Sequence, residues 1–301
     1  MKQKMDKGAP NMRVTELYGK KKPVVSLEFF PPRNEKATEE FDKTVDRLAE
    51  SKPDYMTMTF GAGGSTRDGS YQGVKLLVSK QQPTAAYIAG YGLAPQEISE
   101  VLNGYKDLGI ETIYVIRGDI PKEATFSKHP KSFSYASDMI AYIKKNFDFT
   151  LGCAGYPEGH IEAQSLEKDI EHLKQKVDNG AEYVVTQYFF DNDFYYSYVD
   201  KCRASGIHVP IVPGIMPVYT VKLILSLCKI CGSTLTSDLQ KKLDAVNQED
   251  KDAVLNLGID YATDQCRDLL DQGVDGLHFY TMDRSRSTSE IIGRLRGEGL
   301  L

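Results

Sequence analysis

The stretch "SLEFFPPR" (residues 26–33) holds the carboxylate of Glu28 inside an apolar run and closes that run with two prolines. Similar polar exceptions recur along the chain. They are "FGAGG" after Thr59, Tyr87 in "AAYIAGYG", "RGD" at 117–119, "GYPEGH" ending at His160, Gln187 within "TQYFF", and "YTMDR" ending at Arg284. Together they supply carboxylates, an amide, an imidazole and two guanidinium groups, a set suited to acid–base chemistry beside a large polar ligand. Each also has an ordinary structural reading. Glycine clusters usually make loops, Arg117 and Asp119 can pair with each other, His160 can satisfy backbone groups at a turn, and Arg284 can be solvated. Gln187 resists such a reading, because an amide in an apolar strand needs partners for both its oxygen and its nitrogen.

Eight short apolar, β-branched or aromatic runs must position these residues: "VVSLEFF", "YMTMTF", "TAAYIAG", "TIYVIRG", "FTLGCAGYP", "YVVTQYFF", "VPIVPGIM" and "GLHFYTM". Between them lie helical patterns with charged faces, such as "ATEEFDKTVDRLAES", "APQEISEVLNGYKDLG" and "SLEKDIEHLKQKVDNG". Several end in Gly just before the next strand, the mark of a helix C-cap. Alternation of this kind implies parallel strands with right-handed crossovers, and eight units close into a (β/α)8 TIM barrel of the α/β class. An open doubly wound sheet is disfavoured because prolines, not a glycine-rich fingerprint, follow the first strand. The polar exceptions then fall at strand C-terminal ends, on one face of the barrel. The expected organisation is a leader over 1–22, with a short helix from Asn11 to Leu17, and a single barrel over 23–301. Extra helical turns are expected over 233–258, before the last unit.

The chain of 301 residues is 41% hydrophobic and 26% charged, enough to bury a large core. A net charge of −5 gives no electrostatic reason to expect nucleic acid, and no apolar run is long enough for a membrane span. The basic leader lacks the apolar centre of a secretion signal, so a cytoplasmic location is expected. Five scattered cysteines do not make a disulfide scaffold. "CKIC" has redox or zinc spacing, but without a second pair or a nearby His it reads as helix cysteines packing as small hydrophobes, and no metal site is expected.

In order and spacing, "LEFFPPR", "RGD", "YASD", "AGYPEGH", "LKQKVDNGAEYVVTQYFFD", "IVPGIMP" and "LHFYTMDR" resemble the methylenetetrahydrofolate reductases, over about residues 23–295. The chain looks like the catalytic barrel of bacterial members, without the C-terminal regulatory domain of eukaryotic ones. The resemblance implies non-covalent FAD and reduction of 5,10-methylenetetrahydrofolate to 5-methyltetrahydrofolate, supplying methyl groups for methionine synthesis. It implies a ping-pong hydride transfer from NADH or NADPH through flavin N5. It also implies a homo-oligomer. By resemblance Glu28 is the general acid that opens the folate's five-membered ring to an iminium, and Leu27, Phe29, Phe30 and Pro31 are expected to give it an apolar setting. Asp119 matches a carboxylate near both flavin and pterin, Gln187 an amide that meets folate and nicotinamide in turn, and Arg284 a residue on the folate side. Positions matching the flavin contacts are Thr59, Phe60, Ala62, Tyr87, Arg117, Gly118, Asp119, Tyr135, Ala136, Tyr156, His160, Asp169 and Lys176.

The sequence departs from the family pattern at several places. Tyr87 replaces a histidine; it can stack or donate one hydrogen bond but cannot be cationic. Leu223 and Leu227 stand where some members carry a glutamine and an aromatic that touch the ligands, and His172 and Gln175 differ along the flavin segment. The electron donor therefore stays open between NADH, NADPH and a partner electron-transfer subunit. Two other functions stay open as well: another flavin barrel of the proline dehydrogenase kind, and a non-catalytic folate- or flavin-binding assembly subunit.

Overall fold

Strand and helix alternate along the whole chain, and the register of neighbouring strands shows how they close. The computed structural model describes residues 12–21, 23–32, 34–60, 64–120 and 128–301. Eight parallel strands, β1 (Val24–Phe29), β2 (Tyr55–Met58), β3 (Thr84–Ala89), β4 (Thr112–Ile116), β5 (Thr150–Gly155), β6 (Tyr183–Tyr188), β7 (Ile211–Ile215) and β8 (Gly276–Tyr280), pair in sequence order. β8 returns to β1, with Glu28 beside Tyr280, and the barrel closes. Helices α2 (Glu35–Ala49), α3 (Gly64–Ser79), α4 (Pro95–Asp107), α5 (Ala136–Asn146), α6 (Leu166–Asp178) and α7 (Asn192–Ala204) follow the first six strands in turn. Between β7 and β8 lie α8 (Val221–Cys231), α9 (Ser237–Ala245) and α10 (Lys251–Asp271), and α11 (Ser285–Gly297) follows β8.

The helix boundaries follow local chemistry. Asn34 and Ser165 accept hydrogen bonds from Ala37 N and Lys168 N and so start α2 and α6. The glycines expected to end helices, Gly109, Gly180 and Gly273, all have positive φ. The predicted extra turns become α9 and the start of α10, which pack with α8 into a second apolar cluster around Tyr219, Ile224, Leu239, Leu243 and Val254. Cys228 packs in that cluster as a small hydrophobe. Among the described residues, no helix is long and apolar enough to cross a membrane.

A helix also precedes β1, but α1 spans Val14–Lys20, three residues later than the predicted start and end. Spacing decides the register: Val14 and Tyr18, four apart, lie on one buried face. That face docks on the barrel, where Val14 N donates to Thr112 Oγ1 at 3.1 Å and the Tyr18 and Tyr55 hydroxyls lie 3.1 Å apart.

Strand alternation sorts the β1 side chains. Phe29 faces outward, its ring 5.5 Å from Phe41 of α2, and Leu27 shares that parity. Ser26 and Glu28 therefore face inward. This corrects the expectation that Leu27 and Phe29 surround the carboxylate, since both belong to the layer between barrel and helices.

Candidate active site

Glu28, only 5% exposed, sits at the floor of a cavity of about 640 Å³ at the C-terminal ends of the strands. Its partners come from the opposite ends of the chain. Tyr87 of β3 donates its hydroxyl to Glu28 Oε2 at 2.5 Å, and His278 Nε2 of β8 lies 3.4 Å from the same oxygen. Ser26 Oγ is 2.8 Å from His278 Nδ1 and so fixes the imidazole plane. Tyr114 and Tyr280 complete the wall, the Tyr87 and Tyr114 rings being 4.4 Å apart. The setting of Glu28 is thus one of phenols and an imidazole. Burial first, and the Glu28 carboxylate second, push the ionisation of Tyr87 well above the usual phenol range, so its hydroxyl stays a donor.

The loop after β8 ties this floor down. Thr281 Oγ1 donates to the Glu28 carbonyl at 2.6 Å, and Asp283 Oδ1 accepts from Phe30 N at 3.0 Å. Met282 and Asp283 both have positive φ without being glycine, a conformation that costs roughly 1 kcal/mol or more for each residue. Burial pushes the Asp283 carboxyl up to about 6, against the Phe30 N–H that lowers it, with the Glu28 charge adding a smaller upward push.

Gln187 reaches the same cavity from β6. The β6–β7 register shifts between Val185 and Tyr188, a bulge that lets Thr186 Oγ1 accept from Gly214 N and aims the amide inward. Gln187 Oε1 accepts from Tyr188 N at 3.1 Å. Thr59, Phe60, Tyr87, Arg117, Gly118 and Asp119 line the cavity, with Asp119 exposed at its rim. Gly118 has φ of +85°, and a Cβ there would lie 2.9 Å from that of Ala89, so only bare backbone fits.

A second cavity, of about 330 Å³, joins the first through Ile116, Arg117, Ala154, Tyr156 and His160, which line both. Tyr135 and Ala136, at the start of α5, and Asp169 and Lys176 of α6 line it too. Asp169 is buried, which raises its carboxyl above the usual range, while Lys176 opposes that rise. Lys176 Nζ donates to the Ala154 carbonyl at 2.6 Å. His160 Nδ1 accepts from Glu162 N, which leaves Nε2–H as the donor, and burial lowers its pKa, favouring the neutral ring. Arg117 pairs with Glu162 at 2.6 Å, and not with the adjacent Asp119 as an ion pair within "RGD" would require.

One sequence expectation parts from this picture. Arg284 lies outside both cavities; it is exposed, with its guanidinium carbon 5.3 Å from the centre of the Tyr219 ring at the start of α11. Leu223 and Leu227 are half-buried against the second apolar cluster and line neither cavity. Ala62 lies outside the described residues. The sequence reading missed His278, Tyr280, Tyr114 and Ser26. A histidine two residues before a tyrosine in "GLHFY" was the available signal, since that spacing puts both on one strand face.

Comparison with known proteins identifies the lineage. The methylenetetrahydrofolate reductase family profile matches residues 13–296. The chain belongs to that family. Similar methylenetetrahydrofolate reductases include the 5,10-methylenetetrahydrofolate reductase of Pectobacterium carotovorum, 33% identical over 284 residues, covering 94% of this chain and 93% of that one. The same-named protein of Escherichia coli is 32% identical, covering 89% and 88%. Methylenetetrahydrofolate reductase 1 of Schizosaccharomyces pombe is 32% identical over 92% of this chain, which spans only 46% of the yeast protein. The chain is likewise about half the length of the plant reductases it matches. Among solved structures, a Clostridium thermocellum protein described as binding two copies of 5-methyl-5,6,7,8-tetrahydrofolic acid superposes with a TM-score of 0.67. It covers 94% of this chain and 97% of its own at 16% identity, a likeness that shows the shared fold.

Proposed function

We propose that this chain reduces 5,10-methylenetetrahydrofolate to 5-methyltetrahydrofolate with FAD as a non-covalent cofactor and NADH or NADPH as electron donor. The observation that carries the reading is Glu28, buried at the cavity floor among neutral hydroxyls with an imidazole behind it. The donor set suits a flavin dinucleotide. The joined cavities offer a polar, aromatic-walled chamber beside one holding Lys176, Arg117, the His160 N–H and a buried Asp169. Lys176 and Arg117 match phosphate oxygens, Asp169 accepts from ribose hydroxyls, and the bare Gly118 backbone admits a flat ring. A flavin held there would supply hydride transfer between the nicotinamide and the folate.

The chain's own residues then divide the work. Glu28 delivers a proton to the folate ring nitrogen, opening the imidazolidine to an iminium, and His278 stands behind the carboxylate that remains. Asp119 places a negative charge at the rim, where it stabilises the cationic iminium. Gln187 offers both a donor and an acceptor, so one side chain serves either ligand. The packed strand ends exclude water below the folate.

The test is an anaerobic stopped-flow trace at the flavin absorbance band, with the protein mixed first with NADH or NADPH and then with 5,10-methylenetetrahydrofolate. Bleaching by a nicotinamide and recovery on adding the folate is the expected result. A protein that gains no flavin on incubation with FAD, or a reduced flavin that the folate never reoxidises, would sink the reading.

A further inference from the structure

The two carboxyl oxygens of Glu28 are in different circumstances. Oε2 accepts the Tyr87 hydroxyl at 2.5 Å and lies 3.4 Å from His278 Nε2, whereas among the described residues no hydrogen bond reaches Oε1. We propose that Tyr87 is a positioning residue for the acid step, its hydroxyl holding Oε2 as an acceptor so that the transferable proton of Glu28 resides on Oε1 and faces the folate. The inference rests on the reading of Glu28 as the acid.

Carboxyl chemistry gives the reason. In a protonated carboxyl the carbonyl oxygen is the better acceptor, so a strong donor at Oε2 favours the form with hydrogen on Oε1. The same hydroxyl keeps Oε2 hydrogen-bonded after the proton departs, so the carboxylate that remains is not left unpartnered. Rigidity makes the preference permanent. Tyr87 stands on a strand, its ring lies 4.4 Å from that of Tyr114, and Tyr114 is itself tied to the Val185 carbonyl at 3.0 Å. His278 is the weaker candidate for this task, since its Nε2 is the more distant partner and its other nitrogen is engaged by Ser26. The titratable groups around Glu28 are Tyr87, Tyr114, His278 and Tyr280, with Asp283 beside the loop after β8 and Asp119, Arg117, Tyr156 and His160 elsewhere along the cavity wall.

The experiment compares flavin-loaded wild-type protein with Tyr87→Phe, which keeps the ring and removes the hydroxyl. In single turnover, folate reduction by Tyr87→Phe is expected to be tenfold slower or more, and the alkaline limb of its pH profile to move to higher pH, because the acid holds its proton longer. Tyr105→Phe removes a buried hydroxyl on α4 that lines neither cavity, and its limb stays in place. A Tyr87→Phe profile that superimposes on that of wild type overturns the proposal. A urea-unfolding cycle of Tyr87→Phe, Glu28→Leu and the double variant reads the bond without turnover, and the two losses are expected to be non-additive. Additive losses would overturn the bond itself. Coupled losses in a protein that does not reduce the folate would overturn the acid role and the proposal with it, while leaving the bond intact.

Discussion

The two joined cavities hold their acidic groups in opposite ways. Glu28 is surrounded by hydroxyls and an imidazole, whereas Asp169 shares its cavity with Lys176, and Glu162 is paired with Arg117. A carboxyl among neutral donors can exchange its proton without disrupting an ion pair, so that chamber suits proton transfer. Arg117 holds the Glu162 carboxyl below the usual range, and Lys176 opposes the rise that burial gives Asp169, a pattern of paired charges that suits holding a charged ligand. One chamber is built mostly from strand ends, the other from the ends of β4 and β5, the loop after β5, the first turn of α5 and one face of α6 from Asp169 to Lys176.

The sharpest way to break this contrast is to neutralise the proton-handling side. Glu28→Gln should slow folate reduction by roughly 10²–10⁴-fold, the usual span for a lost general acid, while the nicotinamide still reduces the flavin. Equal losses in both half-reactions, followed by stopped-flow absorbance, would show that Glu28 only supports the structure. On the charge-holding side, Lys176→Met should weaken flavin retention by about tenfold or more, as expected for loss of one charge-assisted contact worth ~1.5 kcal/mol or more. Flavin released on dilution measures it, and unchanged retention would remove Lys176 from the cofactor's contacts.

Between the two chambers, Asp119→Asn should slow folate reduction more than flavin reduction and raise the flavin potential, which a redox titration reads. A lowered potential would contradict the electrostatic role. The smallest effect is expected at the floor. The folded pKa of Asp283, about 6, lies above that of an unstructured aspartate, so its ionisation destabilises the fold progressively from about pH 4 to pH 6 and stays costly above that. Asp283→Asn keeps the acceptor for Phe30 N and tolerates positive φ. It should add ~1 kcal/mol of stability at pH 7 and nothing at pH 3, measured by urea unfolding at both pH values.

What was legible in the sequence follows the same division. All eight strands and the capping glycines could be read because they depend on local periodicity and backbone preference. Glu28, Asp119, Gln187, Tyr156, His160 and Lys176 stood out as polar residues at strand ends or through the family resemblance. His278 and Ser26 did not, because they sit mid-strand, where only barrel closure brings them to Glu28. The supposed apolar setting of Glu28 failed for a related reason: Leu27 and Phe29 are sequence neighbours, but the pleat turns them to the opposite face. Arg284 looked like part of the rim in one dimension, yet the turn at Met282 and Asp283 carries it onto Tyr219.

The seam between β1 and β8 also sets when the surroundings of Glu28 are complete. Glu28 is synthesised 250 residues before His278, an interval of roughly 10–50 s at ordinary rates of synthesis. During that interval a nascent chain has the carboxylate but neither its imidazole nor the Thr281 clasp. The hydrogen-bonded setting of Glu28 and the completion of the barrel therefore arrive together.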